Sequence, residues 1–211
     1  LRETGASGVV TVAPAAVGRD LRRRLGQYFT GPQLARLLAE LADARSVTSA
    51  IEPMAGSGDM LAAVVESGAA LRALGAIEIE STAYDQCHRR LTAIARGAEV
   101  VTQQGNAFDP ASWTNLRRTA WDLVITNPPY VRYQRSAEAS AGDVAVPSAT
   151  AVRDGLREVL ADLGPDDPVY QEALLRLTDT YSGLADLAVP SWILCASLVK
   201  PGGTLAMLVP D

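Results

Sequence analysis

The sequence predicts an α/β fold in which a doubly wound, Rossmann-like parallel sheet carries helices on both faces. Three observations lead there. Short apolar runs alternate with longer stretches of helical period; the run at 47–52 passes into a glycine-rich turn that opens a helix; and the run at 121–126 ends on a proline pair. In such sheets ligands bind beyond the carboxyl ends of the strands, so the residues that close each strand are where chemistry belongs.

Residues 1–18 are largely Gly, Ala, Ser and Val without period and read as a linker or lead-in, which leaves 19–211 as one domain. Leu34, Leu37, Leu38 and Leu41 recur at helical spacing and predict a helix over 32–44. A strand at 47–52, a helix at 61–74, a strand at 76–80, a helix at 83–95 and a strand at 100–103 follow. A turn-rich stretch with a short helix to 118 leads into the strand 121–126. The segment of about 131–182, with helical periods at 152–163 and 169–181, is longer than an ordinary connection and is expected to be a functional insertion beside the site. A helix at 184–199 and a strand at 204–209 close the chain.

With 211 residues, 48% hydrophobic and 20% charged, the chain can bury one good core. No apolar run reaches membrane-spanning length, Pro190 and Ser191 interrupt the most apolar segment, and nothing at the start resembles a secretory signal, so a cytoplasmic protein is expected. Cys87 and Cys195 lie far apart without metal-ligand spacing, and His88 diverges from its helical neighbour Cys87. No metal site is expected; Cys87 reads as a half-buried thiol. A net charge of −5 argues against strong phosphate attraction by the whole domain, so any grip on nucleic acid would come from a basic region elsewhere. The chain starts without Met and stops at Asp211 just after an apparent strand, as expected of a piece cut from something longer.

The first motif is Glu52-Pro-Met54-Ala55-Gly56-Ser-Gly58-Asp59, a strand-to-helix turn whose glycines let the backbone approach a ligand. No lysine follows, which disfavours a triphosphate, and Leu61 stands where a dehydrogenase would place its third glycine. The acidic Glu52 disfavours a pyrophosphate and suits a cationic amino group such as that of S-adenosylmethionine. At the next strand end a carboxylate at Glu78 can take both hydrogen bonds of a ribose diol. Glu80, beside Ser81, reads instead as a charge at a helix N-terminus. After the third strand, Asn106 can meet the amino edge of an adenine ring or simply form a turn.

The fourth motif carries the most chemistry: the strand at 121–126 runs straight into Asn127-Pro128-Pro129-Tyr130. An aniline-like amino nitrogen is a poor nucleophile because its lone pair is delocalised into the ring. Two acceptors that each take one N–H, the Asn127 side-chain oxygen and the Pro128 carbonyl, draw it toward tetrahedral geometry. Consecutive prolines fix the backbone that presents them, and Tyr130 can stack on an extruded base.

These residues together resemble the class I S-adenosylmethionine-dependent N6-adenine DNA methyltransferases, in particular the gamma group of TaqI-like enzymes, from about Gly26 onward. The resemblance implies a Rossmann-like methyltransferase catalytic domain with S-adenosylmethionine as cofactor and DNA as partner, engaged through a flipped adenine. It implies that Gly26-Gln27-Tyr28-Phe29-Thr30 is the first cofactor motif, with Thr30 on the methionine carboxylate. Glu52, Met54, Ala55, Gly56 and Gly58 would surround the methionine portion, Glu78 and Ile79 the ribose, and Asn106 and Ala107 the adenine. The stretches 181–186, 200–203 and 205–210 resemble the later motifs that build the pocket wall. Two positions depart from the family pattern. Gly31 stands before Pro32 where the family has Pro directly after Thr, and Asn106 stands where it has Asp. The family's last strands, its target-recognition domain and the main duplex grip would lie after Asp211. A restriction-modification or phage-defence setting follows by analogy. Methylation of a protein glutamine or of ribosomal RNA adenine is the alternative, since those families share Asn-Pro-Pro-Tyr; the early motif and the long insertion favour DNA. An inactive cofactor-binding scaffold is a third reading, against which the intact Asn127 and Tyr130 speak.

Overall fold

The computed structural model describes residues 30–116, 120–130, 148–182 and 186–209. The expected lead-in, Gly26 to Phe29 of the first motif and residues 131–147 of the insertion lie outside them.

The described strands are β1 (Ser49–Glu52), β2 (Ala73–Glu78), β3 (Glu99–Gln104), β4 (Trp121–Thr126) and β5 (Val199–Met207). They form one parallel sheet in the order β3-β2-β1-β4-β5. The chain steps outward from β1 to β3, then returns to the other side of β1 at β4. The loops after β1 and β4 therefore diverge and leave a crevice between them.

Helices cover both faces. On one side lie α1 (Pro32–Leu41), α2 (Asp59–Glu66) and α3 (Ser81–Ile94), whose Ala35, Leu61, Val64, Cys87 and Leu91 pack on Ala50, Leu74 and Leu123. On the other lie α4 (Ala149–Leu163), α5 (Pro168–Thr180) and α6 (Ala188–Leu198), packed on Ile51, Ile77 and Val124. The doubly wound expectation is borne out. The insertion contributes more than a neighbour to the site: Val152, Leu156, Val159 and Leu160 of α4 are 0–1% exposed, making this helix part of the second core. A Cβ at Gly155 would fall 2.0 Å from the Phe108 carbonyl oxygen, so glycine lets α4 rest directly on the loop after β3.

Two expected boundaries shift. The helix after the glycine loop ends at Glu66, not at 74, because Gly68 (φ 87) closes it and Ala73 and Leu74 are needed as ladder partners of Ser49 and Ala50. β2 accordingly covers 73–78 where 76–80 was expected. β5 begins at Val199, ahead of the expected 204, because Val199 already pairs with Trp121. An irregularity follows: the next pair is Leu123 with Thr204, and it sends Trp121 into one core and Leu123 into the other.

Asp122, at the base of β4, pins the sheet's centre. Its Oδ2 accepts from the Thr48 amide (2.6 Å), the Thr48 hydroxyl (2.7 Å) and the Ser49 amide (2.9 Å), while Lys200 of β5 pairs with Oδ1. Burial pulls this carboxyl's pKa upward, but the hydrogen bonds from Lys200 and Thr48 outweigh it and hold it below the usual carboxylate range. The stabilisation is present above that range and is lost as pH falls through the lowered pKa. Asp122→Ala leaves two backbone amides and Lys200 without their partner, so urea unfolding near neutral pH should show a loss of about 2–3 kcal/mol. A midpoint equal to wild type would show that this carboxylate does not hold β1, β4 and β5 together.

Candidate active site at the carboxyl edge of the sheet

β1 delivers the glycine loop to the crevice. The Ala55 amide bonds the Ile77 carbonyl (2.9 Å) and the Gly58 amide bonds the Ala55 carbonyl (2.8 Å), folding the loop back over β2. Gly56 and Gly58 both sit at positive φ, 52° and 79°. A Cβ at Gly58 would also lie 3.0 Å from Cys87 Sγ of α3, whereas one at Gly56 would meet nothing within 4 Å. Gly58 thus closes the loop onto α3, and Gly56 has open space before it. Met54 is held by the Ser191 hydroxyl, 3.2 Å from its sulfur, and Ala55 is buried.

Glu78, at the end of β2, is 4% exposed and supports the loop from below. Its Oε2 accepts from the Gly56 amide (2.7 Å) and its Oε1 from the Glu80 amide (2.8 Å). Burial pushes Glu78 up in pKa against those two amides. Glu80 caps α3, accepting from the Thr82 (2.9 Å) and Ala83 (2.7 Å) amides, as its place beside Ser81 suggested.

Glu52 is 2% exposed, and among the described residues its Oε2 has no hydrogen-bond partner. Burial, then the negative charges of Glu78 and Asp59, drive its pKa well above the usual carboxylate value, and the Leu61 amide and Arg90 only partly offset this. It therefore lies beneath the loop, held toward the neutral acid. Cys87 is fully buried rather than half-buried, and burial, with Glu52 and Glu78 nearby, pushes its thiol up to about 12. Asp59, the first residue of α2, pairs with Arg90 of α3 and accepts from the Ser57 hydroxyl at 3.3 Å.

β4 delivers the tetrapeptide to the other lip. Asn127, Pro129 and Tyr130 are half-buried and Pro128 is buried. Asn127 Nδ2 donates to Thr30 Oγ1 (3.2 Å), while the Tyr130 hydroxyl reaches both Asn127 Oδ1 (3.0 Å) and the Leu208 carbonyl (2.6 Å). Burial, with a smaller contribution from Asp186, raises the Tyr130 pKa. Thr30 thus stands beside Asn127, just before Gly31, whose φ of 72° and position ahead of Pro32 start α1. A proline at 31 could not adopt that φ, which accounts for the departure from the family pattern there.

At the end of β3, Asn106 Oδ1 accepts from the Phe108 amide (3.0 Å) in an Asx turn, the plainer of its two readings. Ala107 is buried, and its carbonyl accepts from the Trp113 indole (2.8 Å); Ile79 is half-buried. Sequence reading gave no individual role to Asp59 or Arg90, and took Leu208 only as part of the 205–210 stretch. Asp59 follows the last loop glycine directly and could have been flagged, but Arg90 lies 31 residues on with no local signal. No helix among the described residues is long and apolar enough to cross a membrane.

A parallel sheet with a glycine loop after β1 and Asn-Pro-Pro-Tyr after the adjacent β4 defines a Rossmann-like methyltransferase fold. The chain belongs to the N-6 DNA Methylase family, whose model matches residues 17–147. Among solved structures it is similar to a type I restriction-modification methyltransferase subunit from Streptococcus thermophilus, at 16% identity and a TM-score of 0.56, over 86% of this chain and 34% of that one. It is also similar to TrmN from Thermus thermophilus, at 20% identity and a TM-score of 0.43, over 68% of this chain and 39% of that one. The chain thus spans little more than a third of either protein. No curated protein sequence matches it.

The raised Glu52 carboxyl means that folding takes up a proton there. Stability should therefore fall as pH rises from the ordinary carboxylate value through the elevated one. Glu52→Gln keeps the shape without the titration and should flatten that fall in urea midpoints followed from mildly acidic to alkaline pH. An unchanged slope would show that Glu52 is not the group responsible.

Proposed function

We propose that residues 19–211 form the catalytic domain of an S-adenosylmethionine-dependent methyltransferase that modifies N6 of adenine in DNA, with 1–18 as a lead-in. The observation that carries this reading is the placement of Asn127-Pro128-Pro129-Tyr130 across the switch-point crevice from the glycine loop, in a member of the N-6 DNA Methylase family. When bound, S-adenosylmethionine supplies a methyl group made electrophilic by its sulfonium charge. The residues fit such a group: Gly56 faces open space, and the Glu78 carboxylate lies directly beneath it at the neighbouring strand end. Thr30, Met54 and Ala55 flank the methionine portion, Gly58 closes the loop behind it, and buried Glu52 lies below. Ile79, Asn106 and Ala107 border the adenine end.

On the substrate side, Asn127 Oδ1 and the Pro128 carbonyl each take one N–H of the target amine, and Pro129 fixes the turn that presents them. Tyr130 offers its ring to an adenine extruded from the duplex. A domain at −5 lacks the cationic excess that normally grips phosphates, so the main duplex grip is assigned to a region outside this chain. Likeness in fold to the Streptococcus thermophilus subunit supports a restriction-modification or related defence setting, with the enzyme acting on cytoplasmic DNA.

Asn127→Ala in the full-length protein should lower methyl transfer to DNA by at least about 10²–10³ while calorimetry shows nearly unchanged cofactor affinity, because the Asn127 contact matters only when the amine is present. Wild-type transfer by the variant would remove Asn127 from the mechanism. Glu78→Ala should weaken cofactor binding by about 1.5–3 kcal/mol, since the lost contacts are charge-assisted. Equal affinity in a folded variant would take Glu78 out of the cofactor site.

A further inference from the structure

We infer that Asn106 meets the cofactor's adenine as a hydrogen-bond donor, its Nδ2 facing the ring nitrogen N1, and that this side chain leaves the exocyclic amine of the cofactor unread. This rests on the reading of the β3 end as the adenine subsite of an S-adenosylmethionine site.

Which end of a carboxamide is offered to a ligand is settled by what holds the other end. The Phe108 main-chain N–H can only donate, so the Asn106 atom that meets it at 3.0 Å is the oxygen; turned over, the side chain would set N–H against N–H. The loop cannot rotate to relieve that conflict. The Phe108 N–H shares its peptide plane with the Ala107 carbonyl, which the buried Trp113 indole holds at 2.8 Å. The Asn106 carbonyl accepts from the Asp109 amide at 2.8 Å, and the Phe108 carbonyl lies against Gly155 of α4. Asn106 Nδ2, by contrast, has no hydrogen-bond partner among the described residues, and the side chain is only half-buried. The Asx turn therefore does not withdraw Asn106 from the crevice; it leaves the donating end as the one on offer.

The ladder brings that end to the base. Glu78 pairs with Gln104, and the Gly105 amide donates to the Glu78 carbonyl at 2.9 Å, so Asn106 stands one residue beyond the neighbour of the ribose carboxylate. Adenine carries an acceptor, N1, beside a donor, its exocyclic amine. An N–H end suits N1 and would confront the amine. The Asp found here in the family pattern offers only acceptors and suits the amine instead. Asn for Asp thus exchanges the edge atom that is read, and Asn106→Asp keeps the turn, because a carboxylate accepts from the Phe108 amide equally well.

The test is calorimetry on the full-length protein with S-adenosylhomocysteine and two analogues, one with hydrogen in place of the exocyclic amine and one with C–H in place of N1. Wild type should bind the amine-free analogue within about twofold of the parent and the N1-free analogue about tenfold more weakly, as for one lost hydrogen bond. In Asn106→Asp near neutral pH the two should change places. A wild-type protein that loses about tenfold with the amine-free analogue, or is indifferent to both changes, would overturn the inference whether or not the variant folds. So would a loss with the N1-free analogue that persists in Asn106→Asp, since the donor would then be another group. Failure of the folded wild type to bind S-adenosylhomocysteine at all would instead overturn the reading of the crevice as a cofactor site.

Discussion

The parallel pairing of β4 with β1 on one side and β5 on the other is the constraint on which the site depends. Because the chain reverses its direction of travel across the sheet at this pairing, two loops that are 70 residues apart open onto the same crevice, one ending Gly56-Ser57-Gly58 and the other Asn127-Pro128-Pro129-Tyr130. Asp122 sets that register from the base of β4, and Leu208 continues it beyond the top of β5. The strand that carries Asn127 is therefore tied at both ends by neighbours rather than by its own loop, whose two prolines cannot donate.

The two lips of the crevice are stiffened by different means. The glycine lip is held by a carboxylate, Glu78, whose two oxygens take the amides of Gly56 and Glu80 and so bind the β1 loop to the start of the β2 loop. Beneath it lie Glu52 and Asp59, with Arg90 as the guanidinium paired to Asp59. Packing three carboxyl groups under one turn costs ionisation of the deepest, and Glu52 takes that part. The proline lip is neutral and is stiffened by hydroxyls and carbonyls. A positively charged, methyl-bearing group would sit between an acidic lip and an uncharged acceptor lip, a sensible division for chemistry whose substrate is a neutral amine.

The sheet and its loops were legible in the sequence because their signals are local: alternating periods, glycines after an apolar run, and two prolines after another. Gly31, Glu80 and the run into Asn127 all carry their reason within a few residues. What escaped is non-local. The helix after the glycine loop was expected to run to 74, and only pairing with Ser49 and Ala50 claims Ala73 and Leu74 for β2. The insertion was expected only beside the site, yet Val152, Leu156, Val159 and Leu160 of α4 complete the second core. The contacts Arg90 to Asp59, Thr30 to Asn127 and Tyr130 to Leu208 span 31, 97 and 78 residues and leave no mark on the spacing of any motif.

The central claim is that this crevice brings an exocyclic adenine amine to Asn127 for methylation. It is tested most directly by incubating the full-length protein with duplex DNA and isotopically methyl-labelled S-adenosylmethionine, digesting the DNA to nucleosides and locating the label by mass spectrometry. The account predicts label in N6-methyladenine, and none when Asn127 is replaced by Ala. Label in a different nucleoside, or on the same adenine position at full yield without Asn127, would contradict it.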